Sequence, residues 1–269
     1  MHLVLISIGF VALLFAEPAS ASINFRSGPD EILVNLLGAA LALIIAVGYE
    51  VGARKTPVKP WRRWLLRITL VLALLIMIGP LDRLAEISAA AHMAQHMAII
   101  ALLAPMFALV RPLPQFLKGF GRMARPLWQG IFKITHYPML CAYVHGVAIW
   151  FWHVPFFYML AVQNSWVHGL AHMCFLVSAI WFWWACLYPH ERKIPFALLA
   201  LLVTLTHTGF LGALLTFAGQ PLYSEARHLQ DQQLAGLLMW IIGGFPYMAA
   251  SMWAAHRWYK KLQRQIQNA

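Results

Sequence analysis

Acidic residues are scarce in this chain: nine Asp and Glu in 269 residues, with charged residues of both signs making up only 11%. A soluble domain usually carries about 25%, so the chain lacks the polar surface that would keep it in water. Cysteine is also sparse. Cys141, Cys174 and Cys186 all lie inside apolar runs and form no CxxC pair; they read as small apolar fillers, and no Cys-rich zinc site is available. The few carboxylates offer no cage for calcium or magnesium. The run His92-Met93-Ala94-Gln95-His96 lacks the Glu of HExxH, which excludes a zincin-type protease. No Ser/His/Asp order and no phosphate loop occurs, so the expectation is a protein that is not an enzyme.

What the chain has in abundance is apolar length. Hydrophobic residues make up 61%, and seven runs stand out at 31–50, 64–80, 91–110, 137–155, 166–187, 194–218 and 234–255. Each is long enough to cross a hydrocarbon core of about 30 Å. No ten-residue alternation suggests a barrel. The expected fold is all-α, a polytopic membrane bundle of about seven transmembrane helices forming one domain over 22–269. A signal peptide is expected ahead of it at 1–21, where Leu3 to Phe15 is apolar and Ala19-Ser20-Ala21 offers a cleavage site. An uncleaved eighth segment is the alternative.

The net charge of +11 belongs to loops, not to a nucleic-acid surface. Of the 20 Lys and Arg, sixteen fall in four places on one side: 54–63, 111–133, 192–193 and 257–264. Arg26, Arg83 and Arg227 fall on the other, and Arg67 sits at the edge of the second run. The positive-inside rule makes the basic side cytoplasmic. The mature N-terminus is then outside and the C-terminus inside. The connector at 111–136 and the basic tail read as segments lying on anionic headgroups. Most of the twelve Trp residues lie near run ends, as an interfacial belt does.

Twelve histidines are many for this length, and their placement carries the functional signal. His92 and His96 are four apart at the start of the third run, and His168 and His172 repeat that spacing at the start of the fifth. Residues four apart share a helix face, and both pairs begin on the outer side. His153 closes the fourth run at the same level. A single His in a membrane helix commonly bonds a neighbouring helix, but five at one depth point to a shared metal site. Imidazole suits copper, iron and zinc, and it also ligates haem. His145 and His207, deeper in the membrane, are possible additions. So are Asp231, which would otherwise cap the seventh helix, and the thioethers of Met93 and Met97.

Several segments resemble the multi-span CtaG family, the assembly factors of caa-type cytochrome c oxidases. They are His92-Met93-Ala94-Gln95-His96-Met97, Pro105, Trp152-His153-Val154-Pro155, His168 with His172, Trp183-Trp184, Pro221-Leu222-Tyr223, and Asp231-Gln232-Gln233-Leu234-Ala235-Gly236 followed by Met239-Trp240. The resemblance spans about 92–253. It implies a seven-helix protein of the bacterial plasma membrane, needed to make active haem-copper oxidase by helping copper reach the catalytic subunit. The implied partners are that subunit, the lipid bilayer and other copper-delivery proteins. The alternatives are a haem-binding membrane electron carrier, a metal permease and a metal-independent assembly scaffold.

Overall fold

The computed structural model describes residues 29–85, 88–223 and 228–267. The expected signal peptide at 1–21 lies outside these. The described chain is helical throughout, with no strand. We number the helices α1 (Pro29–Lys55), α2 (Pro60–Met77), α3 (Pro80–Ala85), α4 (Ala89–Val110), α5 (Leu113–Gly119), α6 (Gly121–Lys133), α7 (Pro138–His153), α8 (Pro155–Gln163), α9 (Ser165–Leu187), α10 (Ile194–Thr216) and α11 (Leu229–Gln267). Many open on a proline in the first turn, where its missing N–H costs nothing and its fixed φ suits the helix.

Six helices are individually long and apolar enough to cross a membrane, and α7 with α8 forms a seventh, broken span. The fourth run departs from expectation here. Val154 is held extended ahead of Pro155, and the axis turns by 74° between α7 and α8. The connector at 111–136 is not irregular either: it holds α5 and the sharply amphipathic α6. The seventh span runs on to Gln267, because the tail after Trp253 is rich in Ala, Lys, Arg and Gln, which favour helix.

The central helix is α9, which touches α1, α4, α7, α8, α10 and α11. Its buried positions include Ala171, Phe175, Ser178, Ala179, Phe182, Ala185 and Cys186, a stripe of mostly small residues that lets neighbours approach. Helices α10 and α11 approach closely through glycines. A Cβ on Gly236 would stand 2.5 Å from the Gly212 carbonyl oxygen, so no larger residue fits there. Large apolar side chains such as Val147, Phe156, Phe210 and Met252 face outward, as lipid contact requires. Arg67, placed by its sequence at the edge of an apolar run, is neutralised: Glu50 on α1 accepts hydrogen bonds from Arg63 and, at 2.8 Å, from Arg67 on α2.

Two spans contain a π-helical segment, Ala98–Leu103 in α4 and Leu238–Ile242 in α11. In α4 the cause is readable. The Ala104 N–H bonds the Ile99 carbonyl, five residues back. In that register the Ile100 carbonyl would need the N–H of residue 105, which is proline. The Trp183 indole N–H on α9 donates to the Ile100 oxygen instead, at 2.8 Å. The π segment lies directly after His96.

Candidate metal centre at the outer end of the bundle

Two helix starts carry the paired histidines, and each is tightly capped. The Asn164 side chain accepts from Trp166 N–H and Val167 N–H at the start of α9. At the start of α4, Ser88 accepts from Ala91 N–H. Asp231, at the beginning of α11, accepts from the Ser88 hydroxyl at 2.8 Å and from the Ala89 N–H at 2.5 Å. Asp231 therefore does not cap its own helix, as its position in the sequence suggested. It closes the N-terminus of the helix bearing His92 and His96, where a carboxylate is electrostatically favoured. Both of its oxygens are engaged, which gives it a positioning role at this helix start. Its neighbours tie down the outer loop: Gln232 accepts from Leu222 N–H at 2.7 Å, and Gln233 donates to the Ala218 carbonyl.

The helices so fixed bring four imidazoles into a rectangle. Ring centroids are 4.3 Å apart for His92 and His96, and 4.2 Å for His168 and His172. Across the helices, His92 to His168 and His96 to His172 are each 5.3 Å. His153, at the end of α7, joins as a fifth ring 6.3 Å from His96. His92, His96, His153 and His172 are buried, and His168 is partly exposed. Phe175 underlies the group, 4.8 Å from His96. Tyr158 lies 5.5 Å from His92, and Tyr223 stacks on Tyr158 at 4.0 Å. The Tyr223 hydroxyl donates to the His153 carbonyl at 2.9 Å. Burial pushes this phenol above its usual range, so it stays a donor.

Several ring nitrogens are poised. The His153 Nδ1–H donates to the Ile149 carbonyl at 2.7 Å, which leaves Nε2 with its lone pair, buried and without a partner. Fixing one ring nitrogen so that the other is free is the usual preparation of a metal-ligating His. His96 Nδ1 is likewise buried and unpartnered. His168 Nε2 and His172 Nε2 face each other at 3.0 Å and share one hydrogen bond. As the rings stand, no group of three or more His, Cys, Asp or Glu among the described residues is set to hold a metal ion. The five imidazoles share one locus, but their nitrogens do not yet share one focus.

The other candidates lie elsewhere. His145 is fully buried two turns deeper on α7, where Ser178 pairs with its Nδ1 at 3.0 Å and Phe182 stacks on it. His207 accepts from the Trp150 indole N–H at 3.3 Å. Met93 belongs to the apolar core, and the Met97 sulfur packs against the backbone at Gly243. Sequence reasoning gave no role to Tyr158 or Ser88. Tyr223 had a signal, in the Pro221-Leu222-Tyr223 segment, without a stated role.

Neither the curated proteins nor the solved structures contain a match to this chain. The profile of one family, described as cytochrome c oxidase caa3 assembly factor (Caa3_CtaG), matches residues 42–261. That stretch contains the whole histidine cluster and every helix that positions it, and the chain belongs to this family of cytochrome c oxidase assembly factors.

Proposed function

We propose that this protein binds a copper ion through His92, His96, His153, His168 and His172 and helps deliver it to the catalytic subunit of a haem-copper cytochrome c oxidase. The observation that carries the reading is the convergence of five imidazoles from three helices in one largely buried locus. Nothing but a soft or borderline cation matches an all-imidazole donor set. The ion is cargo, so its site should not be a closed cage. Two imidazole nitrogens bound to one ion at about 2 Å each lie about 3 Å apart, which is the spacing of His168 Nε2 and His172 Nε2 at 3.0 Å. Small ring rotations would then complete or release the set while the helices stay still. The asymmetry of the basic loops supports a topology with the cluster on the outer side of a bacterial plasma membrane, from which the ion would pass sideways to the oxidase without crossing the bilayer.

The haem alternative is less favoured by the packing. A bis-histidine haem needs a porphyrin-wide slot between its axial rings, and these rings pack at 4.2–5.3 Å around the rectangle. The deciding experiment is metal analysis of the purified full-length chain after copper loading, together with its absorption spectrum. We expect bound copper and no Soret band. A Soret band with no retained copper would overturn the reading.

A further inference from the structure

The opposite, basic end of the bundle carries a cavity of about 480 Å³ that the histidine cluster does not use. Its apolar wall includes Phe132 of α6 and Trp184 near the end of α9. Its polar rim includes Gln129 and Lys133 of α6, with His136 and His190 from the loops that follow α6 and α9. No carboxylate lines it. We propose that it binds the headgroup of an anionic phospholipid from the leaflet on that side.

Three observations carry this. The first is charge: the rim offers an ammonium, an amide and two imidazoles, and Lys133, Gln129 and His190 make no side-chain hydrogen bond or ion pair among the described residues. Two neighbouring cations are already engaged on lining residues: Arg111 lies over the Tyr188 ring at 4.4 Å, and Lys193 donates to the His136 carbonyl at 2.6 Å. Lys133 is the cation that lines the cavity itself.

The second is depth. Trp184 sits one turn before the end of α9, and α6 is sharply amphipathic, with Phe132 buried and Leu127 exposed. Such a helix lies in the interface plane, so the cavity opens at headgroup level. The third is its two-faced lining. A free anion has no use for the Phe132 and Trp184 wall, whereas a lipid glycerol and upper acyl chain do. Basic pockets at this level between spanning helices are typical headgroup sites.

The test uses the full-length protein exchanged into phosphatidylcholine vesicles with a minor fraction of phosphatidylglycerol. Lipid that stays bound on gentle extraction is counted by mass spectrometry. Phosphatidylglycerol should be enriched over its bulk fraction. Lys133→Glu should cut that enrichment by more than about tenfold, while Arg83→Glu, exposed on α3 at the opposite end of the bundle, should leave it unchanged. Gln129→Glu should also reduce it and decides the matter if Lys133→Glu fails to accumulate. Equal retention by wild type and the pocket variants would overturn the proposal, as would equal retention of phosphatidylcholine. So would displacement of the lipid by inorganic phosphate at matched concentration, which would make the site one for a free anion.

Discussion

Asp231 acts across 143 residues of chain, on a helix other than its own. Its loss should therefore be felt at His92 and His96. Asp231→Ala removes the acceptor for Ser88 and Ala89 together with a charge at a helix N-terminus, an effect of about 1–2 kcal/mol. We expect a lower thermal midpoint and weaker copper retention after dialysis. Asp231→Asn keeps one carbonyl oxygen and should lose less of both. Equal loss in Asn and Ala would mean that the charge, not the cap, matters. The histidines divide in the same assay. His96→Ala should abolish copper retention while the protein still accumulates, since that ring makes ring contacts and no hydrogen bond among the described residues, and only packing is lost. His207→Ala, which breaks only the bond from Trp150, should leave the copper stoichiometry intact. Copper lost equally from both variants would sink the five-histidine assignment.

At the scale of elements, the π segment of α4 and the indole of Trp183 form a matched pair. Trp183→Phe leaves the buried Ile100 carbonyl without a donor and should cost about 1–3 kcal/mol. Pro105→Ala supplies the missing N–H to that same carbonyl. The double variant should therefore be more stable than the two single effects added together, and a thermal-unfolding cycle in detergent measures the coupling. Strict additivity would show that the two groups do not serve one carbonyl. This element also marks the limit of sequence reading. Apolar length revealed the spans because lipid imposes it on any helix that crosses. A π segment of five or six residues is too short to show a period in the sequence, although Pro105 and Trp183 were both visible. The helices α5 and α6 were read as a plain connector because Pro112, Pro114, Gly119, Gly121 and Pro126 punctuate them. Packing of Trp128 on Phe116 and Phe120 holds them in place, and that is tertiary information. The histidine pairs were legible through their spacing and shared depth. That α4 and α9 lie side by side followed from a site shared by both pairs, and the two helices are in contact; which way each ring turns was not legible, since it depends on tertiary packing.

For the whole molecule, the proposed topology predicts that a cysteine introduced into the 257–264 tail is labelled only after the cells are opened, and one replacing Gln163 is labelled in intact cells. The reverse pattern would put the histidine cluster on the wrong face for the oxidase copper. The fourth span adds a property that belongs to the membrane as much as to the protein. A helix of 16 residues reaches only about 24 Å, roughly 6 Å less than the hydrocarbon thickness, and tilting shortens its reach further. Val147 and Tyr143 on its flank are exposed to lipid, so the mismatch is met by bilayer deformation. The lipid beside α7 should then thin, with the aqueous boundary dipping toward His153, the last residue of that helix. Hydrophobic mismatch would give the cluster a wet flank without a channel through the protein. In reconstituted bilayers of increasing acyl length, the dip becomes costlier and copper loading from the outer solution should slow. A loading rate indifferent to chain length would mean that the ion enters by another route, between the tyrosines that cover the cluster.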